Sequence, residues 1–253
     1  MAPFQSDPPH LSVVIPAYNE AGRILPYLAD ISAYLAPRAI PYEILVVDDG
    51  SRDDTAALVE TFQTHQPSIR LLRLPHNRGK GYAVRTGMNQ ARGKFRLFAD
   101  ADGATPIQEL ERLEAAIGHG ADIAIGSRLL ASRDSRYKVK ARWHRSVSGN
   151  LFNWFVQHLG VPGIRDTQCG FKLFRGAVAD NLFSVARING YGFDLELLYI
   201  AQRRGYKIAE VPINWTDQPG SKVRVLRDGL RMFGELLTVR RNDAQGLYER
   251  GQP

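Results

Sequence analysis

The first half of the chain alternates short apolar runs with longer amphipathic segments, and this alternation restricts the possible folds more than any other feature. The short runs are rich in β-branched and large apolar residues and cover 11–15, 42–47, 69–74, 94–99 and 122–126. The longer segments carry apolar residues at helical spacing and cover 21–35, 55–64, 81–91 and 106–118. The pattern predicts an α/β fold with a mostly parallel central sheet flanked by helices on both faces.

Acidic and polar residues follow several of these predicted strands. The second run leads into Asp49, and the fourth leads into Asp100 and Asp102. Ligands of parallel sheets bind outside the carboxyl ends of the strands, so these residues form a candidate site. Two carboxylates with one residue between them suit Mg²⁺ or Mn²⁺, bridged to substrate phosphates. Each aspartate taken alone is better explained as a helix cap or a turn residue, and only their occurrence at successive strand ends favours a site.

A glycine-rich basic segment, Asn-Arg-Gly-Lys-Gly at 77–81, opens the third predicted helix. Glycines and basic residues such as Lys80 at a helix N-terminus suit a phosphate group. The alternative is an ordinary glycine-rich turn between strand and helix. The chain has no Gly-x-x-x-x-Gly-Lys-Ser/Thr motif and no Gly-x-Gly-x-x-Gly after its first strand, which argues against a P-loop and a dinucleotide-binding domain.

The second half of the chain is less regular and strongly basic at its start. Residues 127–145 contain seven arginines and lysines against one aspartate, and we expect a loop there. Further predicted elements are helices at 146–159, 193–203 and 223–240 and strands at 171–174 and 207–215. The last helix is basic and amphipathic, which fits either an interfacial helix on anionic lipid or a helix packed on the core.

Composition and charge limit the possible partners. The chain of 253 residues has 33 Lys and Arg against 26 Asp and Glu, a net charge of +7, which favours an anionic partner. Its one cysteine excludes an internal disulfide and a cysteine-rich zinc site. No apolar run approaches the roughly 20 residues of a membrane span, and no signal sequence is evident, so we expect a cytoplasmic protein. No nucleic-acid-binding signature accompanies the positive charge.

Eight short segments occur in an order that resembles a known family. They are VVIPAYNE (13–20), VVDDGSRD (46–53), NRGKGYAVRTG (77–87), FADADG (98–103), IGSR (125–128), DTQCGFKLF (166–174), GFDLELL (192–198) and GSKV (220–223). Together they resemble family 2 glycosyltransferases of the GT-A (Rossmann-like) fold, and most of all the dolichyl-phosphate β-glucosyltransferase branch. The resemblance implies one domain over 1–253, with a nucleotide-sugar-binding half at 11–126 and a smaller acceptor-side half at 127–241.

The resemblance also implies an activity: an inverting, metal-dependent transfer of a hexose, here glucose from UDP-glucose, onto dolichyl or another polyprenyl phosphate. The alternatives are a GDP-mannose-dependent polyprenyl-phosphate mannosyltransferase and a family 2 transferase with a soluble acceptor. Related mannosyl enzymes often carry glutamine at the position of Ala104, which favours the glucosyl branch. A polyprenyl acceptor would bring the protein to the inner face of a membrane as a peripheral protein, and no nucleic acid is expected as a partner.

Site residues follow from the resemblance by position. The donor would be bound by Pro16, Ala17, Tyr18, Glu20, Asp49, Lys80, Asp100, Ala101, Asp102, Lys222 and Arg224. Asp102, with Asp100, would hold a divalent metal, Mg²⁺ or Mn²⁺. Arg128, Arg142 and Ser146 match positions that gather phosphates. Asp166 and Asp194 are candidate catalytic carboxylates near the acceptor, although Asp166 could instead cap a turn and Asp194 a helix.

Overall fold

In the computed structural model, which describes residues 8–140, 161–218 and 225–249, a seven-stranded sheet organises the chain. Its strands are β1 (Leu11–Ala17), β2 (Tyr42–Asp48), β3 (Ile69–Arg73), β4 (Phe95–Ala99), β5 (Ile123–Ser127), β7 (Phe171–Arg175) and β8 (Ile208–Pro212). A separate two-stranded ribbon pairs β6 (Val139–Lys140) with β9 (Trp215–Thr216). The strand order in the large sheet is β3-β2-β1-β4-β7-β5-β8.

The helices lie between these strands. They are α1 (Ile24–Leu35), α2 (Thr55–Gln63), α3 (Lys80–Gln90), α4 (Leu110–Gly118), α5 (Arg128–Ala131), α6 (Gly176–Phe183), α7 (Phe193–Arg203) and α8 (Val225–Ala244), with 3₁₀ turns at Ala36–Arg38 and Ile107–Glu109. Within the described ranges, no helix combines the length and the apolar character needed to cross a bilayer.

The sheet is mostly parallel, as the sequence predicts. Strand β1 runs parallel to β2 and β4, β2 to β3, and β5 to β8. Strand β7 is the exception, because it lies between β4 and β5 and runs antiparallel to both. This insertion brings the residues before β7 to the same edge of the sheet as the residues after β4.

Two hydrophobic cores cover the two faces of the sheet. Val13 and Ile15 of β1 pack on one face with Leu28 of α1 and Leu113 of α4. The opposite face carries Val14, together with apolar residues of α3, α6, α7 and the C-terminal helix α8. Successive residues of β1 point to opposite faces and all are buried, which explains why this strand is an unbroken apolar run.

The second half differs in part from the sequence-based expectations. Residues 127–140 do not form a plain loop: α5 begins at Arg128, where the Ser127 hydroxyl accepts a hydrogen bond from the Leu130 amide, and β6 follows. Helix α6 was not predicted; it is only eight residues long and begins directly after the last residue of β7. The predicted helix at 146–159 lies outside the described residues.

The C-terminal helix packs on the core. Met232, Leu236 and Val239 of α8 are buried, and Leu236 and Val239 belong to the core that includes α3 and α7. Leu237, on the other side of the helix, is half exposed. Of the two expectations for this helix, packing on the core is therefore the one that its described side chains fulfil.

Candidate active site

A cavity of about 490 Å³ opens at the carboxyl ends of β1, β2 and β4. Its walls hold all of the donor residues implied by the resemblance that the structure describes: Pro16, Ala17, Tyr18, Glu20, Asp49, Lys80, Asp100, Ala101 and Asp102. The parallel strands bring these residues together because each strand ends at the same edge of the sheet. Four further predicted site residues, Lys222, Arg224, Arg142 and Ser146, lie outside the described residues.

Lys80 and Asp100 form the central ion pair of the cavity. Nζ of Lys80, the first residue of α3, lies 2.6 Å from Oδ1 of Asp100 at the end of β4. Burial lowers the pKa of Lys80, but the carboxylates of Asp100 and Asp194 outweigh it and hold that pKa above its usual value. Lys80 is therefore a fixed cation at the position where sequence analysis expects a phosphate.

Asp100 and Asp102 both face the cavity, and their surroundings keep them there. The Asp100 amide donates to the carbonyl oxygen of Gly170 at 2.9 Å, and a Cβ atom at Gly170 would overlap the Asp100 carboxylate. Oδ1 of Asp102 accepts a hydrogen bond from the Ala104 amide at 3.0 Å. Burial and the charge of Asp100 raise the pKa of Asp102, because two carboxylates share a small volume.

This donor set fits a divalent cation bound together with a diphosphate. A cation would relieve the repulsion between the carboxylates of Asp100 and Asp102, and oxygen ligands are those that Mg²⁺ and Mn²⁺ prefer. Among the described residues, no group of three or more His, Cys, Asp or Glu side chains gathers in a metal-binding arrangement. Mg²⁺ is commonly held by one or two carboxylates together with substrate phosphates and water, which suits a pair such as Asp100 and Asp102.

Asp49 fixes the glycine-rich basic segment at 77–81. Its buried carboxylate accepts hydrogen bonds from the backbone amides of Arg78 and Gly79 at 2.8 and 2.9 Å. Burial raises the pKa of Asp49, and the two amide donors oppose that shift. Gly79 has a φ of 102° and its Cβ position is taken by the Asn189 carbonyl oxygen, so this turn requires glycine.

Arg128, which is partly exposed, and Asp166, which is buried, form an ion pair at the start of the basic segment. Nε and Nη2 of Arg128 donate to the two oxygens of Asp166 at 2.8 and 2.7 Å, and the Arg128 amide adds a third bond at 2.9 Å. Burial raises the pKa of Asp166, but the Arg128 guanidinium outweighs it and holds the pKa below its usual value. The guanidinium also lies 5.3 Å from the ring centre of Trp215.

Asp194 is enclosed beneath the cavity instead of lining it. Its Oδ1 lies 2.5 Å from Nζ of Lys172, which also donates to the Cys169 carbonyl oxygen at 2.6 Å. Both side chains of the pair are almost fully buried. Burial raises the pKa of Asp194, and the charges of Lys172 and Lys80 oppose this. Among the described residues, neither Asp166 nor Asp194 is part of the cavity lining, and each forms an ion pair with a basic side chain.

The cavity includes residues that sequence reasoning did not single out. They are Arg23, Ala83, Gly190, Tyr191 and Arg231. Arg23 makes a two-point contact with Glu20 at 2.7 Å for each bond and could have been suspected from their spacing of three residues. Tyr191 directly precedes the GFDLELL segment. No local signal marks Arg231, because only the packing of α8 brings it to the cavity.

Comparisons with known proteins agree with this geometry. The sequence model described as "Glycosyl transferase family 2" matches residues 12–183. A dolichyl-phosphate β-glucosyltransferase of Dictyostelium discoideum is 40% identical over 252 residues, 95% of this chain and 76% of that protein. The Saccharomyces cerevisiae and Homo sapiens proteins of the same name are each 38% identical, over 94% and 97% of this chain and 76% and 79% of their own lengths.

Solved structures show the same fold at low sequence identity. A glucosyl-3-phosphoglycerate synthase from Mycobacterium tuberculosis, in complex with UDP, has a TM-score of 0.65 at 22% identity and matches 91% of this chain and 80% of its own. Mannosyl-3-phosphoglycerate synthase from Rubrobacter xylanophilus has a TM-score of 0.65 at 20% identity over 96% of this chain and 77% of its own. These likenesses establish the GT-A fold.

Three lines of evidence converge on one family. The strand-end cavity with its Asp-x-Asp pair, the family match and the relatives at about 40% identity all agree. The chain is a nucleotide-sugar-dependent glycosyltransferase with a GT-A fold, and it belongs to glycosyl transferase family 2.

Proposed function

We propose that this enzyme transfers glucose from UDP-glucose to dolichyl or another polyprenyl phosphate, with inversion at the anomeric carbon. The relatives at 38–40% identity that support this carry the name dolichyl-phosphate β-glucosyltransferase. Within the domain at 1–253, we assign donor binding to the half at 11–126 and acceptor binding to the half at 127–241.

The observation that carries the proposal is the Lys80–Asp100–Asp102 cluster at the strand ends. A nucleoside diphosphate needs a cation on one side and a metal or backbone amides on the other. Lys80 supplies the cation at the first turn of α3, and Asp49 fixes the turn that leads into that helix. Asp100 and Asp102 would hold Mg²⁺ or Mn²⁺, which supplies Lewis-acid stabilisation of the leaving diphosphate.

The proposed chemistry is a single displacement. An oxygen of the acceptor phosphate forms the new bond to C1 of glucose while the bond from C1 to the UDP oxygen breaks, and UDP departs with the electron pair. A phosphate monoester is already anionic at neutral pH, because its second pKa is about 6. No general base is then required, which agrees with the ion pairs that occupy Asp166 and Asp194. Lys80 stabilises the negative charge that develops on the leaving diphosphate.

On the acceptor side, the proposal keeps Arg142 and Ser146 as phosphate-binding residues and Lys222 and Arg224 as residues that close over the diphosphate. Arg128 is proposed to present its guanidinium edge to the acceptor phosphate while Asp166 fixes its orientation. Because a polyprenyl chain lies in the bilayer, we propose that the enzyme acts as a peripheral protein at the cytoplasmic face of a membrane.

A donor-by-acceptor assay tests the proposal. UDP-glucose and GDP-mannose are each offered with a short polyprenyl phosphate, in the presence of Mg²⁺, Mn²⁺ or EDTA, and products are identified by mass spectrometry. The expected product is glucosyl polyprenyl phosphate from UDP-glucose, formed only with metal. A mannosyl lipid from GDP-mannose, or transfer only to a soluble acceptor such as a phosphoglycerate, would replace the proposed substrate pair with the corresponding alternative.

A further inference from the structure

We propose that Arg231 of the C-terminal helix α8 is a further phosphate-binding residue of this site and that Glu235, one turn later, positions it. This inference rests on the proposed function, because it assumes that phosphoryl groups occupy the cavity. Arg231 lines the cavity together with Lys80 and Tyr191, although it is more than 140 residues away from Lys80 in sequence.

Glu235 fixes α8 against the wall of the cavity. Its Oε2 accepts a hydrogen bond from the Gly192 amide at 2.7 Å, and a Cβ atom at Gly190 would overlap its other oxygen. Its Oε1 lies 3.4 Å from Nε of Arg231. One carboxylate therefore joins the loop that carries Tyr191 to the arginine at the cavity mouth.

The loop at 189–192 also contacts the glycine-rich turn that leads into α3. The Gly81 amide donates to the Asn189 carbonyl oxygen at 2.8 Å, and Gly79 packs against that same oxygen. Lys80 lies between these two glycines. The loop at 189–192 therefore contacts both Glu235 of α8 and the turn that carries Lys80, and it connects the two walls of the cavity.

The Arg231 side chain is oriented by Glu235 and remains accessible to a ligand. Its side chain is 68% exposed while that of Glu235 is only 15% exposed, so the pair orients the guanidinium and leaves most of it in solvent. Among the described residues that line the cavity, Lys80 pairs with Asp100, Arg23 pairs with Glu20, and Arg78 donates a hydrogen bond to the Tyr82 hydroxyl. A guanidinium offers a planar fork of donors that matches phosphate oxygens.

The phosphoryl group could come from the donor diphosphate or from the acceptor phosphate, and one set of variants distinguishes them. Arg231→Ala, Arg231→Lys and the control Arg241→Ala, an exposed arginine of the same helix, are prepared as the full chain. Dissociation constants for UDP with Mn²⁺ come from calorimetry, and KM values for UDP-glucose and the short polyprenyl phosphate come from the transfer assay. Unfolding midpoints show whether each variant folds as the wild type does.

We expect Arg231→Ala to weaken UDP binding by about five- to tenfold if the donor diphosphate is the partner, since the contact is partly solvent-screened. If the acceptor phosphate is the partner, UDP binding stays unchanged and the acceptor KM rises by a similar factor. In either case, Arg231→Lys should lose less affinity than Arg231→Ala, because lysine keeps the positive charge. No change in both quantities, or an equal change in Arg241→Ala, overturns the proposal.

A double-mutant cycle with Glu235→Gln tests the positioning role, because glutamine can still accept the Gly192 hydrogen bond but no longer pairs with the guanidinium. If Glu235 positions Arg231 for phosphate contact, the loss from Arg231→Ala becomes smaller in the Glu235→Gln background, and a loss of unchanged size overturns the positioning role. If the wild type binds UDP but forms no glucosyl lipid, the proposed function fails, and the effect of Arg231→Ala on the UDP dissociation constant alone decides this inference.

Discussion

Nζ of Lys80 lies 2.6 Å from Oδ1 of Asp100, so a protein cation already neutralises one carboxylate of the Asp-x-Asp pair. A divalent metal held by Asp100 and Asp102 would compete with Lys80 for the Asp100 carboxylate. A diphosphate that arrives with the metal would offer Lys80 new anionic partners. The geometry therefore favours joint binding of metal and nucleotide over binding of the metal alone.

Replacement of Lys80 tests this competition. In Lys80→Gln, UDP binding should weaken by about tenfold or more, because a charge-assisted contact to phosphate is lost. Mn²⁺ binding without nucleotide should instead strengthen, because Asp100 is freed and a positive charge is removed. Calorimetry with UDP and electron paramagnetic resonance of Mn²⁺ measure the two effects. Lys94→Gln, at an exposed position, is the control, and a parallel loss of both affinities would contradict the competition.

Asp102 should be indispensable for turnover. Asp102→Asn removes one of the two carboxylates proposed to hold the metal, and we expect kcat to fall by about a hundredfold or more. Mn²⁺ binding in the presence of UDP should weaken in parallel. Asp54→Asn, at an exposed aspartate before α2, should behave as the wild type. Full activity of Asp102→Asn would remove Asp102 from the proposed metal site.

We expect position 170 to require glycine, because a side chain there would overlap the Asp100 carboxylate. In Gly170→Ala, the new Cβ atom meets the Asp100 carboxylate and must displace either that side chain or β7. We expect kcat/KM to fall by about tenfold or more, as for other small displacements of a reacting group. Gly118→Ala is the matched control, since nothing lies within 4 Å of its Cβ position. Equal activities of the two variants would show that Asp100 can shift without consequence.

The Lys172–Asp194 pair should matter first for stability. Lys172→Met or Asp194→Asn alone leaves a buried polar group without its partner, and we expect a loss of about 3–5 kcal/mol in the free energy of unfolding. The double variant Lys172→Met/Asp194→Asn should lose less than the sum of the two single losses, because both buried charges are gone. Urea unfolding measures each value. A double variant that loses the sum of the two single losses would show that the pair is not coupled.

The Arg128–Asp166 ion pair predicts an acid dependence of stability. Because Arg128 holds the pKa of Asp166 below its unfolded value of about 3.9, the ion pair stabilises the fold fully above that value. The contribution is lost as the pH falls through the lower pKa of the folded state. The unfolding midpoint of Asp166→Asn should therefore fall less between pH 5 and pH 3 than that of the wild type. Parallel curves for the two proteins would contradict the assignment.

Much of the sheet could be predicted because its signals are local. Strand β1 could be predicted from its unbroken apolar run. Helix α4 could be predicted from the helical spacing of Leu110, Leu113 and Ile117, which are all buried. Helix α7 begins and ends where the sequence predicts, at Phe193 and Arg203. Strand ends were less well placed: β1 and β2 each run one or two residues further, into Ala17 and Asp48.

The sequence by itself determined the α/β class, the parallel strands and the acidic residues that follow them, because apolar periodicity and residue order suffice for these features. Only the tertiary structure decided what those residues contact. The antiparallel insertion of β7 places Gly170 behind Asp100, and the packing of α8 brings Arg231 to the cavity. The fold likewise pairs Lys172 with Asp194 and Arg128 with Asp166. Such contacts join distant parts of the chain, and no local pattern records them.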